Sequence, residues 1–172
     1  ISFIVMVGIV VVTYNRLLLL KENIESLREQ TYTDYKIIVV NNGSTDGTEE
    51  WLMYQKDLIV LNQENLGGAG GFHTGIKYAV QSGFDYIWLM DDDTIPTKNA
   101  LDNMFQKVQL LAKNSWGFLC SRVVDLTDNS SNVPEIDMRK WGRAYPNWDE
   151  KIDYKMVKIR YATFVSVLIP VE

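Results

Sequence analysis

Three consecutive carboxylates, Asp91-Asp92-Asp93, carry the strongest chemical signal in this chain. They follow the apolar run Ile87-Trp88-Leu89-Met90 and precede Thr94-Ile95-Pro96. Adjacent carboxylates repel one another unless solvent or a cation compensates them. A hard divalent ion, Mg²⁺ or Mn²⁺, suits such oxygen donors, and it leaves positions open for phosphate oxygens and water. Alternation along an extended segment would bring Asp91 and Asp93 to one side as metal ligands and leave Asp92 solvated between them. The competing reading is an acidic turn that caps the next helix. The place of the triplet at the end of a buried strand favours the metal.

Two further clusters offer ligand chemistry. Thr13-Tyr14-Asn15-Arg16 closes another apolar run and presents a hydroxyl, a ring, an amide and a guanidinium, a set suited to a base, a ribose and a nearby phosphate. It contains neither the Gly-x-Gly-x-x-Gly turn of dinucleotide-binding enzymes nor a P-loop. A simple helix cap is its ordinary alternative. The segment Asn65-Leu66-Gly67-Gly68-Ala69-Gly70-Gly71 holds four glycines in five residues, which allow a backbone to approach a ligand closely, or serve as a flexible turn. His73, the only histidine, lies just inside the following helix and is read as a surface or capping residue, with a ligand role as the alternative.

The elements that must position these clusters alternate. Ile4 to Thr13 is β-branched and almost continuously apolar, as a strand buried on both faces requires. Leu20, Ile24 and Leu27 then recur at helical spacing over residues 17–29. A strand over 35–40 leads into the turn cluster Asn41 to Gly47 and a helix over 48–54. A strand over 58–61, the glycine loop, a helix over 72–81, a strand over 86–90 and a helix over 99–113 complete the pattern. Right-handed β–α crossovers then predict an α/β fold with a Rossmann-like, mostly parallel sheet, and ligands at the carboxyl ends of its strands. Residues 125–153 lack periodicity and read as a long excursion, in which Trp141, Tyr145 and Trp148 could stack on an acceptor sugar or simply pack. A last strand is expected over 161–169.

Composition narrows the function classes. Hydrophobic residues make up 47% and charged residues 23%, as in a globular domain. With 22 acidic against 17 basic residues and no basic stripe, nucleic acid is not an expected partner. Cys120 has no second cysteine to pair with and reads as a small core residue. The apolar run from Phe3 to Val12 is shorter than the ~20 residues of a membrane helix. The chain begins at Ile1 without methionine and stops after Pro170-Val171-Glu172, and is expected to be a fragment of a longer protein.

Val-Val-Thr-Tyr-Asn-Arg, Val-Val-Asn-Asn-Gly-Ser-Thr-Asp-Gly-Thr, Asn-Leu-Gly-Gly-Ala-Gly-Gly-Phe and Trp-Leu-Met-Asp-Asp-Asp-Thr-Ile-Pro, in that order, resemble a family 2 glycosyltransferase, nearest to bacterial rhamnosyl- and galactofuranosyltransferases. The resemblance covers residues 7–105 and implies a fold of the glycosyltransferase A type, truncated before its C-terminal catalytic segment. It implies a single domain with a donor-binding part over 1–105 and the start of an acceptor part over 106–172. Thr13, Tyr14, Asn15 and Arg16 would line the nucleotide pocket, and Asn41 and Asn42 would touch base and ribose. Gly67, Gly68, Gly70 and Gly71 would border the diphosphate and sugar. Asp92 would join the donor site, and Asp91 and Asp93, the outer carboxylates of the D-x-D motif, would hold Mg²⁺ or Mn²⁺. Asn41 stands where many members carry Asp.

The catalytic base is expected beyond Glu172. The implied donor is a nucleoside diphosphate sugar, UDP- or dTDP-linked, and the acceptor a saccharide or lipid-linked saccharide. The implied location is cytoplasmic, with peripheral association at the inner face of the membrane through the full-length protein. A sugar-phosphate nucleotidyltransferase, a receiver-type signalling domain and a non-catalytic nucleotide-sugar-binding module are the alternatives. The first would want a basic, glycine-rich loop after the first strand, and the second a second acidic strand end. Metal-dependent hydrolysis of a nucleotide sugar would separate the third from an enzyme.

Overall fold

The computed structural model describes residues 5–112, 115–125, 130–131, 135–136 and 159–171. The first half alternates β1 (Val7–Thr13), α1 (Leu17–Arg28), β2 (Tyr35–Asn41), α2 (Thr48–Leu52), β3 (Leu58–Asn62), α3 (Gly67–Gln81), β4 (Tyr86–Asp91) and α4 (Ala100–Val108). Short strands follow: β5 (Leu119–Cys120), β6 (Val123–Val124), β7 (Ser130–Ser131), β8 (Glu135–Ile136), β9 (Ile159–Tyr161) and β10 (Val167–Pro170). The main sheet has the order β3-β2-β1-β4-β10-β5. Strands β1 to β4 are parallel, whereas β10 runs antiparallel to both β4 and β5. The expected mostly parallel α/β sheet is therefore present.

β1 is the central strand, and all seven of its residues are buried. Its alternation feeds two separate cores. Val7, Ile9 and Val11 pack in a cluster with Leu20, Ile24 and Leu27 of α1 and Leu101 and Met104 of α4. Val10 and Val12 join Ile38, Val40, Leu89, Phe72 and Ala79 in the cluster beneath α3. With helices on both faces, a β-branched apolar run is the composition that the middle strand requires.

Register brings the polar residues to one edge. Thr13 pairs with Asn41, Asn41 with Asn62, and Val12 with Asp91, so four strands end side by side. The order of strands reverses between β1 and β4, the position at which doubly wound sheets open a ligand crevice. All three ligand-type clusters open onto this edge.

Several boundaries differ from those read in the sequence. Within the expected run from Ile4, β1 begins at Val7; Ile4 itself lies outside the described residues. α2 stops at Leu52, and α4 spans Ala100–Val108. The strand expected over 161–169 is divided into β9 and β10 by the turn around Phe164 and Val165. Trp88 Nε1 donates to Ser166 Oγ at 3.0 Å and Thr94 Oγ1 to the Val165 carbonyl at 3.3 Å, which ties that turn to β4 and the segment after it. Trp141, Tyr145 and Trp148 lie outside the described residues. Cys120 is half-buried, and burial raises its thiol pKa, in keeping with a packing role.

The largest difference concerns the glycines. α3 starts at Gly67, five residues before the expected Phe72, so Gly67 to Gly71 form its first turn rather than a preceding loop. A Cβ at Gly71 would collide with Val12 Cγ1, and one at Gly75 with Val10 Cγ1. Gly71, Gly75 and Ala79 thus make a stripe at four-residue spacing that lets α3 lie directly on β1. Gly75→Ala is expected to destabilise the fold by about 1–3 kcal/mol through overpacking, despite alanine's better helix propensity. Urea unfolding of the two proteins checks this; equal midpoints would show that Val10 yields freely.

Candidate functional site

Thr13 ends β1 fully buried, and its Oγ1 donates to Asp92 Oδ2 at 2.7 Å. This bond crosses the crevice between β1 and β4. Arg16, at the N-cap position of α1, reaches the same carboxylate: its Nη1 lies 3.3 Å from Asp92 Oδ1 and 3.1 Å from Asp93 Oδ2. Asp92 is consequently only 3% exposed, while Asp93 remains open to solvent. The expected solvated middle carboxylate is overturned. The cause is tertiary, because Asp91 closes the strand and Asp92 and Asp93 enter a turn, so two-residue alternation ends at Asp91.

The three carboxyl groups occupy different environments. Burial pushes the Asp91 carboxyl above its ordinary range, and the charges of Asp93 and Asp92 add to the shift. Burial also raises Asp92, partly offset by the Thr13 hydrogen bond and Arg16. One guanidinium against three acidic side chains leaves this edge short of positive charge. The donors are all hard oxygens, and this set suits a divalent ion that completes its shell with phosphate and water. Among the described residues, no three Asp, Glu, His or Cys side chains already converge as a closed metal cage.

The turn that carries these carboxylates is held from below. Thr94 N–H closes it onto the Asp91 carbonyl at 3.2 Å. Buried Asn23 of α1 donates from Nδ2 to the Thr94 carbonyl at 2.6 Å and toward Met90 Sδ at 3.4 Å. Asn23 Oδ1 has no hydrogen-bond partner among the described residues. A buried amide tied to the turn's backbone was not visible in the spacing of α1, where position 23 reads as part of the helix.

The remaining candidates divide into exposed groups and organisers. Tyr14 presents its ring to solvent at 46% exposure, where a planar ligand could stack. Asn15 adopts φ +53°, the only non-glycine residue with positive φ among those described. Its Oδ1 accepts from Thr45 N–H at 2.7 Å, and its own N–H donates to Ser44 Oγ at 3.0 Å. Asn15 therefore joins the turn after β1 to the loop after β2.

Asn41 and Asn42 are buried, and their amides bond inside the protein. Asn41 Oδ1 accepts from Ser44 N–H at 3.1 Å, and its Nδ2 donates to Asn62 Oδ1 at 3.0 Å. Asn42 Nδ2 donates to Asn65 Oδ1 and the Gly67 carbonyl, while its Oδ1 accepts from Gln63 Nε2 and Leu66 N–H. These four bonds shape the entry to α3. Asn65 Oδ1 also accepts the Gly67 N–H at 2.9 Å, and Gly67 takes φ +72°.

A Cβ at Gly67 or Gly68 would meet nothing within 4 Å, so the exposed first turn of α3 leaves room for a group to approach its backbone, with the Gly67 N–H itself held by Asn65 Oδ1. Gly70 and Gly71 do not. Leu66 fills the space where a Gly70 side chain would lie, and Val12 fills that of Gly71. Their smallness serves packing. His73 is exposed on α3, as expected.

Asp46 was legible only as a cap for α2, yet it starts two helices. Its Oδ1 accepts from Thr48 N–H and Oγ1, and its Oδ2 accepts from Leu17 N–H of α1 at 3.0 Å. Burial works to raise its carboxyl, and these hydrogen bonds outweigh it to hold the group below the ordinary range. Phe164 is a second residue that the sequence did not single out. It stands half-exposed with its ring 5.1 Å from that of Phe72, edge-on, beside the first turn of α3.

Fold and site together define an α/β domain of the glycosyltransferase A type, with its crevice at the β1–β4 switch point. Residues 8–164 match the family described as Glycosyl transferase family 2, and the chain belongs to that family. It is 37% identical over 109 residues to the glycosyltransferase GlyG of Streptococcus pneumoniae, covering 60% of this chain and 35% of that protein. Against the galactofuranosyltransferase GlfT1 of Mycobacterium tuberculosis the identity is 38% over 88 residues, covering 49% and 29%. The chain thus spans about a third of the length of these relatives.

Among solved structures, it is similar to the mannosyltransferase PcManGT of Pyrobaculum calidifontis in complex with GDP-Man and Mn²⁺. The TM-score is 0.52 at 26% identity, over 68% of this chain and 35% of the other. Residues 1–349 of Staphylococcus aureus TarS share the fold, with a TM-score of 0.52 at 20% identity over 76% and 41%. No helix among the described residues is long and apolar enough to cross a membrane.

The raised Asp91 carboxyl has a measurable consequence. Its folded value lies above the unfolded ~3.9, so between the two the folded state binds more protons. Its contribution to stability is complete below the unfolded value and is lost as pH rises through the folded one. Asp91→Asn removes that loss, so in chelator the variant is expected to melt above the parent at neutral pH, with the difference shrinking as pH falls toward about 4. A constant difference across the range would place the effect elsewhere.

Proposed function

We propose that this chain is the donor-binding domain of an inverting glycosyltransferase that uses Mg²⁺ or Mn²⁺ to bind a nucleoside diphosphate sugar. The observation that carries the reading is the convergence of Thr13, Arg16 and the Asp91–Asp93 carboxylates at the switch point of the sheet. Residues 1–105 form the donor part, and 106–172 begin the acceptor part. The Mn²⁺ and GDP-Man of the Pyrobaculum complex support the metal and the class of donor. GlfT1 supports galactofuranose as the sugar, and the resemblance of the motifs adds rhamnose and a UDP or dTDP carrier.

In this reading, Tyr14 stacks on the base, and the turn 13–16 with the loop after β2 encloses the ribose. Asn15, Asn41 and Asn42 act by holding those loops in place, since their amide oxygens are already engaged. The open backbone surface at Gly67 and Gly68 faces the diphosphate or sugar. Asp91 and Asp93 hold the ion, and Asp92, anchored by Thr13, fixes the turn between them. The bound ion supplies Lewis-acid neutralisation of charge on the departing diphosphate.

The acceptor hydroxyl, on a saccharide or lipid-linked saccharide, attacks the anomeric carbon in line with the bond to the diphosphate. That bond breaks as the new glycosidic bond forms. The hydroxyl proton passes to a base, and the configuration inverts. The full-length protein would work in the cytoplasm, at the inner face of the membrane.

Calorimetry with UDP, dTDP and GDP tests the donor site. UDP or dTDP is expected to bind in the presence of Mn²⁺ and to bind more weakly in chelator. Failure of all three with Mn²⁺ would refute the pocket. Asp93→Asn is expected to abolish the Mn²⁺ enhancement while leaving the melting temperature near that of the parent, because its carboxylate is solvent-exposed. A large loss of stability in that variant would instead mark Asp93 as structural.

A further inference from the structure

Arg16 touches two carboxylates through one nitrogen. Nη1 alone lies 3.1 Å from Asp93 and 3.3 Å from Asp92, both longer than the ~2.7–2.9 Å of a strong charge-assisted bond. A guanidinium built to stay on a carboxylate is commonly bidentate, as Arg28 is on Asp57, with Nε and Nη2 each at 2.8 Å. Arg16 makes no such fork. Its side chain is about half exposed, and it projects from the N-terminus of α1 at the same edge as the open start of α3. The contact satisfies charge at two converging acidic groups, yet its geometry is loose enough to break.

We propose that Arg16 is a built-in counter-ion that neutralises Asp93, and with it Asp92, until a divalent ion takes Asp93, and that it then passes to the donor's diphosphate. This rests on the metal-dependent donor site proposed above. Two like charges cannot share one carboxylate favourably, so the ion and Arg16 compete for Asp93. A displaced guanidinium at this edge finds its best partner in phosphate oxygens, which it binds in a planar fork. Arg16 then opposes binding of the ion alone and favours binding of the ion with a diphosphate. Synergy between metal and donor follows from one side chain changing partners.

The handover predicts effects of opposite sign from one substitution. Mn²⁺ affinity without nucleotide, and UDP affinity at saturating Mn²⁺, are measured by calorimetry for the parent, Arg16→Gln, Arg16→Lys and Arg28→Gln. Arg16→Gln is expected to bind Mn²⁺ alone about threefold more tightly, the scale of a partly exposed charge pair. The same variant is expected to bind UDP about tenfold more weakly, the scale of a lost charged hydrogen bond. Arg16→Lys should keep Mn²⁺ affinity near that of the parent, and Arg28→Gln should leave both affinities unchanged, excluding a general effect of net charge.

Unchanged or weaker Mn²⁺ binding in Arg16→Gln would overturn the proposal while leaving the metal site intact. Tighter Mn²⁺ binding with unchanged UDP affinity would overturn the handover. If the parent binds UDP but Mn²⁺ binds neither protein, both the proposal and the metal part of the proposed function fall. If the parent binds Mn²⁺ but no nucleotide, the donor reading fails, and the handover fails with it. In that case the Mn²⁺ arm still decides whether Arg16 is the counter-ion.

Discussion

The bond between the Thr13 hydroxyl and the Asp92 carboxylate is the constraint around which this edge of the molecule is arranged. A carboxylate with 3% exposure is tolerable only with compensation, and here it comes from one hydroxyl and one guanidinium. Both partners belong to the segment between β1 and α1, whereas Asp92 belongs to the turn after β4. Strands β1 and β4 are neighbours in the sheet although seventy-nine residues separate Thr13 from Asp92. The crevice therefore closes at its base through a polar contact that only the reversal of strand order makes possible.

Around that contact, asparagine and aspartate side chains do the work that longer loops would do with backbone alone. Asn15 joins the turns after β1 and β2, Asn42 joins the ends of β2 and β3 to the first turn of α3, and Asp46 supplies acceptors to α1 and α2 together. Each interaction fixes two chain segments at once. Loops that carry binding groups are ordinarily mobile, and these cross-links hold the present ones against a rigid sheet. Asn23 extends the same device beneath the acidic turn, anchoring its backbone to α1 through the Thr94 carbonyl.

The glycines show a division of labour within one short segment. Gly71 and Gly75 remove side chains from the face of α3 that meets β1, which allows close packing of helix on strand. Gly67 and Gly68 stand at the open end of the same helix. The close packing places that helix end at the crevice, so tight burial on one side positions an exposed first turn on the other. Core packing and the placement of the helix end are coupled here through the helix axis.

Much of this was written in the sequence itself. The apolar β-branched run through Val12, the helical spacing of Leu20, Ile24 and Leu27, and the polar clusters after successive strands determine an α/β sheet with its chemistry at the carboxyl ends, because burial periodicity is a local property. The motifs around Thr13, Asn41, Gly67 and Asp91 likewise identify the family without coordinates. Partnership is not local. Alternation along the chain made Asp92 the solvated member of its triplet, yet a turn at that residue and the nearness of β1 buried it on Thr13. The same holds for Asn42, whose amide reads as a ligand contact until Gln63, Asn65, Leu66 and Gly67 surround it, and for Gly71, whose neighbour Val12 lies on another element. A residue's type and period depend on its own segment, whereas the atom opposite each polar group or missing Cβ depends on which strands lie side by side, and only the tertiary structure decides that.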